Sequence, residues 1–301
     1  MVRRKIVPVT AWVLLLTLGA AAVAQQLAPR PERVDKEKQG EFLRVVRDQE
    51  KTPVALETAI VRCAPVDPGA KGPTVDLVAA VHVAQRSYYQ QLNREFAGYD
   101  VVLYELVAPE GNRIPRAGGT RSNPLSLLQN AVKNLLELEF QLNEIDYSRK
   151  NMVHADMSPD EFAKSMRDRG ESVFAMFLRM MGYAMARQQG AGKPTDSQLL
   201  LALLDKNRAL VLKRLMAEEF EDLEGSLMAI DGPQGSTLVG ERNKVALKVL
   251  REQLAAGKRK IAIFYGAAHM TDFQRRLREE FHLAPLSTRW LVAWKMESPR
   301  Q

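Results

Sequence analysis

The sequence predicts an α/β fold: a central mixed β-sheet flanked by helices, with a helical insertion between the two halves of the sheet. Three observations predict it. The runs Val75–Val81, Val101–Tyr104 and Ile261–Tyr265 are nearly continuous apolar sequence, the pattern of strands buried on both faces. From about Asn123 to Leu254 the apolar spacing is helical instead. Strand character resumes after that stretch, so one sheet interrupted by an insertion fits better than two successive domains.

The elements follow in order. Residues 1–24 read as a secretory signal: Arg3, Arg4 and Lys5 form the basic start, an apolar run is centred on Trp12 to Leu18, and Ala22-Val23-Ala24 supplies a small-residue cleavage site. The competing reading is an uncleaved anchor, for which the apolar stretch is short. Residues 25–40 are polar, carry Pro29 and Pro31, and read as a leader. A single domain is expected over 41–297, with 121–230 as the helical insertion or lid. Phe42 to Arg47 and Pro53 to Cys63, separated by the polar Asp48–Thr52 turn, predict a hairpin. Ser87 to Phe96 predicts a helix. Asn123-Pro124 predicts the start of a helix running through Leu142, and Ser158-Pro159-Asp160-Glu161 opens another. Val173, Met176, Phe177, Met180 and Ala184 lie at helical spacing, and a longer helix is expected from Thr195 to about Glu224. Asp231–Gly235 breaks the pattern. Ser236 or Thr237 can cap the next helix, which ends near Gly257. Thr271 to Phe281 predicts a helix and Leu286 to Met296 the last strand.

Composition excludes several classes. The 301 residues are 46% hydrophobic, 26% charged and 7% aromatic, which rules out collagen-like and wholly disordered chains. Cys63 is the single cysteine, so no intramolecular disulfide and no cysteine-based zinc cluster can form. It reads as a buried strand residue. The formal charge is +7, and removing Arg3, Arg4 and Lys5 with the signal lowers it to +4. The basic run Gly257-Lys258-Arg259-Lys260 has no interleaved aromatics and reads as a solvated turn, so no nucleic-acid partner is expected. No phosphate-binding glycine loop, Gly-x-Ser-x-Gly elbow or His-Glu-x-x-His helix is present. A secreted or periplasmic location follows, with cleavage after Ala24 and no stable membrane span thereafter.

Three ionisable residues stand where apolar strands end: His82, Glu105 and His269. Ligands of open α/β sheets bind outside the carboxyl ends of strands, so parallel neighbouring strands would bring the three together. Two imidazoles and a carboxylate can hold a divalent ion and leave positions open for water and substrate. Such an ion would generate a nucleophile near neutral pH and polarise a carbonyl. Arg242 can aim a guanidinium at a developing oxyanion or at a substrate carboxylate; the plainer alternative is a surface helix arginine. Asn243 can orient a histidine or accept a substrate amide, or be a solvated helix amide. His154 and Asp156 precede a helix and read mainly as loop or cap residues, with an added ligand or a supporting carboxylate as the alternative. His282 reads as a solvated helix-end residue, and the Met176–Met185 segment as core packing.

At these residues the chain resembles the TraB/PrgY/GumN family, which includes the Tiki metalloproteases. Ala79-Ala80-Val81-His82 with Tyr88-Tyr89 is similar to the family's first Gly-x-x-His segment, with Ala79 in place of the glycine. Asp100–Glu105 resembles its strand carrying an acidic residue, Glu241-Arg242-Asn243 its Arg-Asn element, and Gly266-Ala267-Ala268-His269 its second Gly-x-x-His motif. The likeness runs in order over about residues 41–296. It implies an α/β fold and, for the Tiki branch, divalent-metal-dependent peptide cleavage, with manganese, zinc, cobalt or iron as the ion. It assigns His82, Glu105 and His269 to the active site and metal, with Arg242 and Asn243 in support. Erythromycin-esterase-like enzymes are more distant relatives, in which a histidine can act without a metal. The expectation is therefore a metal-dependent, peptidase-like hydrolase acting on a peptide or small-molecule substrate. Its alternatives are a metal-free histidine-based esterase or amidase, and a non-catalytic protein that sequesters a peptide or ligand.

Overall fold

A computed structural model of the chain describes residues 42–67, 69, 71–108, 136–171, 204–217 and 236–297. The expected signal (1–24), the expected leader (25–40), the Met176–Met185 segment and most of the expected helical insertion lie outside the described residues. Among the described residues, no helix is long and apolar enough to cross a membrane.

The fold is α/β, built on a mixed sheet of seven strands. β1 (Leu43–Arg47) and β2 (Pro53–Pro65) form the expected antiparallel hairpin, with Asp48 Oδ1 accepting from the amides of Glu50 and Thr52 in the turn. β3 (Thr74–Ala80) follows antiparallel to β2. A two-residue strand β4 (Val83–Ala84) leads into α1 (Arg86–Phe96), and β5 (Val101–Tyr104) comes next. β6 (Glu139–Phe140) pairs with β4, outside the main sheet. Then come α2 (Gln141–Glu144), β7 (Met152–His154) and α3 (Pro159–Asp168). A single π turn (Thr237–Glu241) runs into α4 (Arg242–Ala255), β8 (Lys260–Gly266), a 3-10 turn (Ala267–His269), α5 (Met270–Phe281) and β9 (Leu283–Lys295).

The strand order is β1-β2-β3-β8-β5-β7, with β9 along the other edge of β2. β3, β8, β5 and β7 are mutually parallel where they pair. β8, made from the far end of the chain, thus fills the slot between β3 and β5. That order decides the site, because it makes the three apolar strands consecutive and parallel. Their continuous burial (Leu77, Val78, Val102, Leu103, Ile263 and Phe264 are wholly buried) explains why their sequences do not alternate. Across the antiparallel half, Arg62 on β2 grips the buried Asp76 of β3 with two hydrogen bonds, and Tyr99 donates to the same carboxylate. Cys63 is buried in β2, as expected, and burial first of all pushes its thiol up to about 12.

Two helix expectations need correcting. The helix expected to reach Leu142 has ended by Glu137, which has φ +53°, and the chain then forms β6 and the short α2. The left-handed residue turns the chain so that Leu136 and Leu138 both enter the core. The helix expected from Thr195 to Glu224 is broken within its described part: 205–207 form a turn, with Asp205 Oδ1 accepting from the Asn207 amide, and helix resumes over 208–217. α3 begins as expected, with a capping box between Ser158 and Glu161 and Pro159 in its first turn. His282 caps α5 with φ +55° and is exposed.

Candidate active site

The parallel arrangement of β3, β8 and β5 brings His82, Glu105 and His269 to one end of the sheet. A point of the molecule measures their convergence. A Cβ built on Gly266 would lie 3.4 Å from Glu105 Oε2, 3.9 Å from His269 Cδ2 and 3.9 Å from His82 Nε2. All three side chains therefore border the space above the Gly266 Cα. Gly266 has φ −53°, which any residue adopts. Its glycine serves space, not conformation. Ala79, the departure from the first Gly-x-x-His motif, pairs in register with Tyr265 and is wholly buried, so its methyl packs in the core; Ala80 is the partner of Gly266.

Each of the three is held differently. Glu105 follows β5, and its amide still bonds the Phe264 carbonyl at 3.2 Å, so its backbone is fixed by the sheet. Its Oε2 accepts from the Gly266 amide at 2.7 Å, and its Oε1 from Arg242 Nη2 at 2.7 Å. Burial raises the carboxyl pKa, but Arg242 and the nearby imidazoles outweigh it and hold the group well below the usual carboxylate range. His82 leaves β3 on an exposed turn whose backbone is clamped from several sides. The Ala79, Val81, His82 and Val83 carbonyls accept from Tyr88 Oη, Tyr89 Oη, the Gln141 amide and Trp294 Nε1 respectively. The Tyr88-Tyr89 pair of α1 thus serves the strand end that carries His82.

His269 ends the 3-10 turn and is buried. Its Nε2 lies 3.6 Å from Glu105 Oε1, and its Nδ1 lies 2.7 Å from Asn243 Oδ1. Asn243 Nδ2 donates to the His269 carbonyl and to Asp272 Oδ2. Asn243 therefore orients a histidine, one of the roles anticipated for it. Burial above all lowers the His269 pKa, to about 4, against the pull of Glu105. The imidazole is neutral at physiological pH.

Arg242 is not the surface helix arginine of the plainer alternative. It is buried, and its Nε and Nη2 bind both oxygens of Asp156 at 2.9 and 2.6 Å while Nη2 also holds Glu105. Nη1 faces the Leu238 carbonyl at 3.4 Å. Two carboxylates have consumed the guanidinium fork. The π turn delivers this residue: Ser236 caps it by accepting from Val239, and Thr237 Oγ1 meets Ser165 Oγ of α3 at 2.8 Å. Arg242, Asn243, Ala246, Leu247 and Leu250 share the buried face of α4, so two polar residues complete an otherwise apolar stripe.

Asp156, expected mainly as a loop or cap residue, instead takes the supporting role given as its alternative. It lies just past β7, buried, and its Oδ1 also accepts from the Met157 amide. Reading Met152–His154 as a strand would have exposed it as a fourth strand-end residue. His154 does not join the site; its Nε2 is bonded to the Leu106 carbonyl at 2.5 Å. Asp272 was missed, because an acid in the first turn of a helix ordinarily reads as a partner of the helix dipole.

For a divalent ion, the donor types are suitable, and His269 Nε2 and Glu105 Oε1 stand close together. The third donor is not closed on them: among the described residues, no three His, Cys, Asp or Glu side chains form a group that could hold an ion. The guanidinium also occupies the Glu105 oxygen nearest His269. Compared with family models, with curated proteins and with solved structures, the chain matches none.

Proposed function

We propose that the protein is an exported hydrolase that cleaves ester or amide bonds, peptide bonds foremost, with water activated at Nε2 of His269. One observation carries this reading. Nε2 of a buried imidazole, whose pKa burial lowers to about 4, lies 3.6 Å from Glu105 Oε1, in a space shared with His82. The buried groups around it, Glu105, Asp156 and Arg242, hold two carboxylates against one guanidinium. A water that passes its proton to Nε2 as its oxygen attacks the carbonyl carbon creates an imidazolium beside that excess negative charge. The cluster thus stabilises the charge that forms. Collapse of the tetrahedral intermediate breaks the C–N or C–O bond, and the leaving group takes the proton back. His82, on the exposed side of the same space, is the second group able to supply it. The order of the motifs shared with the TraB/PrgY/GumN family supports the same assignment, and the basic-apolar N-terminus supports export.

A divalent ion is the second reading, favoured by the separation of His269 Nε2 and Glu105 Oε1. Ligands about 2 Å from one ion span such a gap, and His82 would be the third donor after a side-chain movement. Manganese, zinc, cobalt or iron suits that donor set and, when bound, would acidify water and polarise the carbonyl.

Turnover of p-nitrophenyl acetate and of a fluorogenic peptide library, before and after chelation, tests both. The expected result is turnover that survives chelation and is lost in His269→Ala. Turnover abolished by chelation and restored by manganese or zinc transfers the assignment to the second reading. Peptide binding without turnover, metal-loaded or stripped, overturns hydrolysis in favour of a sequestering protein.

A further inference from the structure

The geometry points to Asp272 as the positioning residue that sets the tautomer of His269, acting through the side-chain amide of Asn243. The argument needs only the donor and acceptor character of the groups. Asn243 presents one end of its amide to the His269 carbonyl at 3.1 Å and to Asp272 Oδ2 at 2.9 Å. A carbonyl has no proton to give. Neither has the Asp272 carboxylate, because Arg275 binds its Oδ1 and Arg276 its Oδ2. Both neighbours accept only, so the NH2 end must face them. The amide oxygen then faces His269 Nδ1 at 2.7 Å. An amide oxygen cannot donate either, so Nδ1 carries the hydrogen. Nε2 is left bare, directed at Glu105 and the space bordered by His82.

The chain of control runs from the surface inward. Arg275 and Arg276, each one turn beyond Asp272 on α5, hold a carboxylate; the carboxylate orients an amide; the amide orients a proton. Asp272 lies three residues after His269, in the first turn of α5, and both bond Asn243. Asp272 bonds Asn243, Arg275 and Arg276, and of these Asn243 is the one that bonds His269, so its effect passes through Asn243. This inference rests on the reading of His269 as the group that takes a proton from water.

Two measurements test it apart from that reading. Long-range 1H–15N correlation of the wild-type protein at neutral pH reports each imidazole nitrogen directly. A protonated Nδ1 and a bare Nε2 at His269 are expected; the reverse overturns the inference. Asp272→Ala removes the acceptor while keeping a strong helix former in α5. It is expected to give a mixture of the two His269 tautomers and to lower kcat on p-nitrophenyl acetate by roughly 10–100-fold, with KM little changed. Asp272→Asn, which retains an accepting oxygen, is expected to restore the wild-type nitrogen pattern and most of kcat. An Asp272→Ala protein with the wild-type pattern and unchanged kcat overturns the role of Asp272. If the protein proves not to be a hydrolase, the nitrogen pattern still decides the tautomer, so the two failures are distinguishable.

Discussion

A single nitrogen of Arg242, Nη2, donates to two carboxylates, Glu105 at 2.7 Å and Asp156 at 2.6 Å. All three groups are largely withdrawn from water, with side-chain exposures of 11% for Arg242, 11% for Glu105 and none for Asp156. Burial works against the guanidinium charge, but Glu105 and Asp156 reverse that effect and raise the Arg242 pKa. Arg242 is therefore the cation that makes two buried carboxylates tolerable. Its Nε bond to Asp156 fixes the plane of the fork, which in turn fixes the Glu105 oxygen facing His269.

Removing that cation is expected to cost more than removing either anion. Arg242→Leu leaves two buried carboxylates facing each other without a partner. A loss of about 3–5 kcal/mol is expected, since breaking a buried ion pair strands its charge. Urea unfolding followed by circular dichroism measures it. Arg242→Lys keeps the charge but cannot bridge both carboxylates in one plane, and an intermediate loss is expected. A midpoint for Arg242→Leu equal to that of the wild type contradicts the role assigned to the residue.

Gly266 supplies a prediction about space. The backbone there is acceptable to any residue, and an added methyl meets Glu105 Oε2 at 3.4 Å. Gly266→Ala is therefore expected to fold, with a melting temperature close to wild type. Its methyl would occupy the space shared by Glu105, His269 and His82, so turnover is expected to fall by about 1.4 kcal/mol in transition-state stabilisation, or tenfold. Gly266→Val is expected to abolish turnover. Melting curves and kcat/KM measured together separate a filled site from a damaged fold.

The legible parts of this molecule were those written in local pattern. The apolar runs of β3, β5 and β8 identified strands buried on both faces, and the residue at each strand end followed from the rule that ligands bind there. Ser158 and Glu161 announced α3. Asp156 was legible only as an alternative, because β7 is three residues long, too short to leave a periodic trace. The partners of Arg242 escaped for a different reason. A guanidinium on a helix looks the same in sequence whether it meets solvent, substrate or two carboxylates 86 and 137 residues away. The turn at Glu137 escaped because a left-handed conformation at a glutamate has no signature in residue type.

Acid should destabilise this fold through the same groups. The folded-state pKa of His269 is lowered by burial to about 4 from an ordinary 6.5, so between those values the unfolded chain binds a proton that the folded one refuses. Its contribution is fully present above about 6.5 and is lost as pH falls toward 4, on the order of 3 kcal/mol. Glu105, also held below its ordinary value, adds a further loss as pH falls below about 4.5. The unfolding free energy is thus expected to decline steadily from pH 7 to pH 4 and more steeply beneath. Replacing His269 by Gln removes the first part of that decline. An identical slope in the His269→Gln protein between pH 6.5 and 4.5 contradicts the assignment.

The two site histidines should differ in reactivity and in what their loss does. His82 stands exposed on its turn, whereas His269 is buried with Nδ1 bonded to Asn243. Diethyl pyrocarbonate needs an accessible, neutral ring nitrogen. It is expected to modify His82 and the exposed His282 early, His154 more slowly because its Nε2 is bonded, and His269 last. Peptide mapping by mass spectrometry gives the order. Substitution separates them further. His82→Ala is expected to leave stability within about 0.5 kcal/mol of wild type, as for an exposed residue without special geometry. His269→Ala empties a buried position and breaks the Asn243 bond, so a loss of about 2–4 kcal/mol is expected. Turnover should fall in both, by roughly 10²–10⁴-fold for His269 as the base and less for His82, whose proton solvent can partly replace. If His269 is labelled first, or if its loss leaves kcat intact, the base belongs to His82 instead.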